Sequence, residues 1–236
     1  MIKFVGVAIL AVGFGAQAQA ASFDCQKGAA KPATKIGAYS IKQVCHNTGR
    51  GENEASVSYP QIASPDAAAA KWNALVMKTA NTVFDDQGVD DFDTSDISYA
   101  IGTASAKLIS VHFDLYENTA GTAHPTIALA DMNTIMPQGV PLKASDLFKV
   151  TPQWKAFMAK QLGAAFTKMA EMSLSDAGIT NDTVTSQATN PKYWFIDTKG
   201  LTIQTGDLVQ APNSDIEAAI SWAALKPYLV ANSPAP

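Results

Sequence analysis

Three runs of alternating residues in the middle of the chain constrain its fold more than any other feature. From Lys107 to Glu117, apolar Val111, Phe113 and Leu115 alternate with His112, Asp114 and Tyr116. A period of two belongs to a strand with one buried and one wet face. Ile97 to Ala104 repeats the pattern, and Pro125 to Ile135 carries it through Ile127, Leu129 and Met132. Gly121 falls between the second and third runs, and Pro137-Gln138-Gly139 stops the third. These turn residues predict an antiparallel meander.

Two segments break the period of two. After a short strand from Glu54 to Ile62, Ser64-Pro65 supplies a cap and a first-turn proline for a helix running to about Phe84. Trp72, Leu75, Val76, Thr79 and Val83 recur on it at three- and four-residue spacing, which makes one apolar stripe. Thr151-Pro152 opens a second helix with a wider stripe of Trp154, Phe157, Met158, Leu162, Ala165, Phe166 and Met169. Strands return at Tyr193 to Ile196, Leu201 to Thr205 and Ile216 to Trp222, with a turn at Thr198-Lys199-Gly200. Helices among hairpins, without regular βαβ alternation, predict an α+β fold with antiparallel meander sheets packed against two amphipathic helices.

The N-terminus reads as an export signal. Lys3 precedes the apolar run Phe4 to Phe14, which is too short to span a bilayer of about 30 Å. Ala18-Gln19-Ala20 fits the small-residue cleavage rule, so residues 1 to 20 are expected to be removed. The remaining 216 residues lie within the size of a single domain, with no membrane span and a periplasmic or secreted location expected. In an oxidising compartment the only two cysteines, Cys25 and Cys45, are expected to pair. A loop of about 20 residues closed this way is worth about 3 kcal/mol. The expected organisation is a signal at 1–20, a disulfide-stapled segment at 21–53 and one α+β domain at 54–236. Losing Lys3 leaves 16 basic against 21 acidic side chains, a net −5, and Arg50 is the sole arginine. Neither favours nucleic acid or a dedicated phosphate site.

Motifs of known chemistry are few. No H-E-x-x-H, G-x-S-x-G or P-loop spacing occurs, and no cofactor or metal is expected. Asp85-Asp86 and Asp90-Asp91-Phe92-Asp93 lack the register of a calcium loop and read as a solvated acidic loop. Tyr193-Trp194-Phe195 offers stacking surface, but alternation sends Trp194 to the face opposite its neighbours. Of the three histidines, His124 stands in a glycine-bounded turn near Asp114 and Glu117. A hydrolase or a metal centre would use such a set, whereas a structural turn would use His124 to hold its own backbone.

Several segments, taken in order, resemble the extracellular part of RsiV-type anti-sigma factors. They are Tyr59-Pro60-Gln61-Ile62, Trp72-Asn73, Ile109 to Tyr116, Gly121-Thr122-Ala123-His124-Pro125, Leu142 to Lys149 and Leu225 to Leu229. Related modules precede the catalytic domain of some peptidoglycan deacetylases or stand alone behind signal peptides. The resemblance spans about Glu54 to Leu229 and implies a non-enzymatic binding domain of the cell envelope, because the characterised anti-sigma members bind lysozyme through this module. The implied partners are a lysozyme-like protein or a peptidoglycan fragment, met at Gly121, His124, Pro125, Asp114 and Tyr116. The chain departs from those members in showing no membrane helix, no sigma-binding segment and no deacetylase domain. Gly206 to Glu217 also lacks the aromatic and glycine pattern expected of the last loop. The competing expectation is an envelope hydrolase or metal-dependent enzyme using His124 with Asp114 and Glu117.

Overall fold

Alternation and helical periodicity sort the side chains onto two faces of one large sheet, and each face has its own core. The computed structural model describes residues 33–50, 53–85, 94–118, 126–205 and 216–236. Its large sheet has seven strands in chain order: β1 (Thr34–Ile36), β2 (Tyr39–Arg50), β3 (Asn53–Ile62), β4 (Thr94–Ala104), β5 (Leu108–Asn118), β6 (Thr126–Ile135) and β7 (Val140–Pro141). A smaller sheet has the order β10 (Glu217–Ser221), β9 (Gly200–Gln204) and β8 (Trp194–Ile196). The helices are α1 (Ala67–Asp85), α2 (Ala144–Leu147), α3 (Pro152–Ala170), α4 (Asn181–Ala188) and α5 (Trp222–Leu225).

The fold is therefore α+β and mostly antiparallel. β4, β5 and β6 form the expected meander, with His112 opposite Ala100 on one side and Asp131 on the other. One junction differs from the expectation: β3 and β4 pair in parallel. Parallel neighbours need a long crossover, and α1 supplies it. The sheet also extends upstream of Glu54, since β2 pairs antiparallel with β3 and β1 antiparallel with β2. Cys45, on β2, is disulfide-bonded, while Cys25 lies outside the described residues.

α1 begins two residues later than its proline suggests. Asp66 caps it by accepting from the Ala69 N–H at 2.7 Å, and the Ser64 hydroxyl donates to the Asp66 carboxylate at 2.6 Å. Trp72, Val76 and Ala80 are fully buried against Val57, Ile97, Val111 and Phe113, the odd-numbered face of β5 included. Asn73 behaves as a strand fragment, accepting from the Ile62 N–H at 2.8 Å and donating to its carbonyl at 3.1 Å. Of the expected stripe, Leu75 packs at the margin and the side chain of Val83 is not among those described.

The second core lies around α3, α4 and the small sheet. Thr151 caps α3 through its hydroxyl, which accepts from the Trp154 N–H at 3.2 Å, and Pro152 occupies the first turn. Trp154, Met158, Leu162 and Phe166 are buried, as the helical spacing requires. Three members of the expected stripe are not. Phe157 is only partly buried, against Tyr228, Ala165 is partly buried, and Met169 is 53 % exposed near the end of α3, where none of the described residues covers it. Trp194 is core: its ring meets Phe148 and Trp154 edge-on at 5.7 and 6.3 Å, and its indole N–H donates to the Ala188 carbonyl.

Candidate functional site

The even-numbered face of β5 looks toward the small sheet, and there the wet side of the alternating run meets a second layer. Phe195 of β8 lies against His112 with ring centroids 5.7 Å apart. Phe195 pairs with Thr202, Thr202 with Ala219, and Gln204 with Glu217. By the period of two, Phe195, Thr202, Gln204, Ala219 and Glu217 thus share one face of the small sheet, the one opposite the buried Trp194, Ile203 and Ala218. Gly102 lets the two sheets approach. It sits at the β4 bulge between Ile101 and Thr103, and a methyl group there would run into the Ile196 carbonyl and the Phe195 ring. Ser110 and Asn133 tie the layers together. The Ile196 N–H donates to the Ser110 hydroxyl at 3.0 Å, and the Asn133 amide donates to the carbonyls of Trp194 and Pro191 at 2.6 and 2.9 Å.

Beside these ties lies a cluster of charged side chains. The His112 ring bridges two carboxylates, with Nδ1 at 2.7 Å from Asp131 and Nε2 at 3.1 Å from Asp114. Asp131 is 1 % exposed, His112 13 % and Asp114 43 %, so the triad runs from the interior to the surface. Burial pushes the imidazole down, but the hydrogen bonds and charges of Asp114 and Asp131 outweigh it and hold His112 up at about 10. Burial raises the Asp131 carboxyl against the pull of His112, and the nearby charges of Glu217 and Asp114 add to that rise. At that value His112 is held as an imidazolium at neutral pH. Glu217, on β10, accepts from the Gln204 amide at 2.8 Å.

Of the residues expected from sequence to form a site, Asp114 bonds His112 and Tyr116 shares their face of β5, where it is 43 % exposed. Gly121, His124 and Pro125, with the side chain of Glu117, fall outside the described residues, as do most of the residues between Asp85 and Asp96. The chemistry that sequence reading missed belongs to His112, Asp131 and Glu217. The signal for the first two was present: His112 and Asp114 share a face two residues apart, and the hairpin register sets Asp131 directly across from His112. Glu217 had no such signal, because its place depends on the packing of one sheet upon the other. Among the described residues no group of His, Cys, Asp and Glu is arranged to hold a metal ion, and no helix is long and apolar enough to cross a membrane.

No protein-family model matches the chain, and no curated protein matches it. Solved structures do match. A DUF3298 family protein from Pseudomonas aeruginosa PAO1 superposes with a TM-score of 0.54 at 15 % identity, over 82 % of this chain and 95 % of that one. A member of the same family from Bacteroides fragilis NCTC 9343 gives a TM-score of 0.52 at 14 % identity, over 84 % of this chain and 96 % of that one. At such identities the likeness is one of architecture, and in architecture this chain is similar to the DUF3298 proteins.

Proposed function

We propose that this protein is an exported, non-enzymatic binding module of the cell envelope, periplasmic or secreted, whose partner is a lysozyme-like protein or a wall component. The observation that carries this reading is the state of His112. Both ring nitrogens are engaged by carboxylates, at 2.7 and 3.1 Å, so the imidazole has no free nitrogen with which to take a proton from a substrate. The sequence motifs that resemble the RsiV-type extracellular module support the same reading, and the apolar run ahead of Ala21 supports export. The net charge of −5 favours a basic partner, whose association it would accelerate at low salt.

Titration calorimetry of the mature domain against lysozyme, at low and at physiological salt, tests the proposal. Binding is expected at both, weaker at the higher salt, since exposed charges are screened beyond about 10 Å at 0.1 M. Absence of heat at either salt would remove lysozyme as the partner. Hydrolysis of peptidoglycan by the purified domain, lost in His124→Ala, would overturn the non-enzymatic reading in favour of the His124, Asp114 and Glu117 set.

A further inference from the structure

We infer that the groove between α3 and α4 receives an acidic amphipathic helix of a partner protein, its apolar face on the small residues of α3 and two of its carboxylates on Lys160 and Lys168. α3 packs on the core through Trp154, Met158, Leu162 and Phe166. Beside that ridge, spacings of three and four residues make a second row of Ala156, Lys160, Gly163, Ala164 and Thr167. This row lines an open space of about 780 Å³, with Leu174 and Val184 among the residues on its other side. Gly163 lets Leu174 lie against α3, since a methyl group there would stand 3.2 Å from the Leu174 side chain. The wall is therefore low and largely apolar, and small residues allow a third helix to approach closely.

Charge and exposure select the occupant. Lys160 and Lys168 both line the groove, and neither forms an ion pair among the described residues. Glu171, Asp176 and Asp182, the carboxylates closest in sequence to its walls, do not line it. Eight residues of helix set the two lysines about 12 Å apart along the axis and only about 80° apart around it, so they stand along one bank. An occupant that satisfies both must bring two anions at that spacing, which a helix does with Asp or Glu seven or eight residues apart, at about 10.5 to 12 Å. A single-chain lipid carries one charged head and would match one lysine only. A second copy of α3 would set lysine against lysine. Ala156, Ala164 and Thr167 line the groove yet remain exposed, so it covers only one side of whatever lies in it. An amphipathic helix has one side to bury and one to leave in water, whereas an acyl chain would leave apolar surface wet. The same lysines would repel the basic partner proposed above, so this surface is separate from that reading.

The probe is an acetylated, amidated peptide of about 18 residues, long enough to be helical, with leucine and alanine along one face and glutamate at seven-residue spacing beside it. Its counterparts are the same peptide with lysine for glutamate and a scrambled peptide of identical composition, each titrated into the 15N-labelled protein. The acidic helix is expected to shift the amides of residues 156–168 and 181–185 saturably, and more weakly as salt rises. Lys160→Gln combined with Lys168→Gln should weaken binding about fivefold, as two exposed ion pairs are lost. Its thermal melt should be unchanged, because both side chains are exposed. Absence of a saturable shift, equal binding by either counterpart, or full binding by the double variant would overturn the inference. Dodecanoate shifting the same amides more tightly than the peptide would put a lipid in the groove, and concentration-dependent shifts there without peptide would put a second copy in it. Either outcome also overturns the helix. Heat from lysozyme that is the same for the native protein and the double variant leaves the envelope reading standing whichever way the peptide titration falls.

Discussion

At His112 two carboxylates overcome the tendency of burial to strip an imidazole of its charge. The group's folded pKa of about 10 lies above its unfolded value of about 6.5. Its contribution to stability is therefore fully present below about pH 6.5 and is lost as pH rises through about 10. Urea melts between pH 7 and 10.5 should show stability falling for the native protein and a shallower fall for His112→Gln. Equal slopes would mean that the triad does not stay assembled. His112→Ala removes the partner of a carboxylate that is 1 % exposed and should cost about 3 to 5 kcal/mol. Replacing the pair together, His112→Phe with Asp131→Leu, should restore much of that loss, because apolar neighbours impose no desolvation cost. A double variant as unstable as His112→Ala would place the defect in packing instead.

Among the elements, α3 shows how far a periodic stripe can be taken. Trp154 is fully buried, stacked on Phe148 with centroids 5.4 Å apart, while Phe157 rests half-covered on Tyr228. Trp154→Ala should cost about 3 to 5 kcal/mol and Phe157→Ala only about 1 to 2 kcal/mol. Comparable losses in denaturant titrations would show that Phe157 is more deeply held than its exposure indicates. The strand scale offers a sharper test at Gly102. Any side chain there meets the Ile196 carbonyl and the Phe195 ring, so Gly102→Ala should separate the two sheets locally and destabilise by about 1 to 3 kcal/mol. Its signature is a shift of Phe195 and His112 resonances. A variant with native stability and unshifted His112 would mean that the sheets are not in contact at this bulge.

For the whole molecule, the disulfide at Cys45 and the pairing of β2 with β3 act on the same segment. With only two cysteines in the chain, Cys25 is the expected partner. Reduction should lower stability by about 3 kcal/mol through the loop it releases, read as a lower urea midpoint with reductant present. An unchanged midpoint would show that the sheet, and not the bridge, holds the N-terminal segment. Thiol labelling of the untreated native protein should find no free cysteine.

Strand and helix identities followed from local periodicity, because burying one face imposes a period of two or of 3.6 on any sequence that folds this way. The β4–β6 meander, the caps and buried ridge of α3, and the wet face that holds His112, Asp114 and Tyr116 were legible on those grounds. Other features were not. The parallel junction of β3 with β4 depends on where α1 returns the chain, the exposure of Met169 on what fails to cover a helix end, and the start of α1 on whether Ser64 or Asp66 reaches the free N–H groups. β1, β2, α2 and α4 are too short or too polar to announce themselves, and their partners supply the burial that stabilises them. The charged cluster around His112 lies furthest from local reading. Sequence determined which side chains face away from the α1 core, whereas only the packing of the small sheet on the large one brought Phe195 to His112 and Glu217 within electrostatic reach of Asp131, since charges from strands far apart in sequence interact only once the tertiary fold has brought them near.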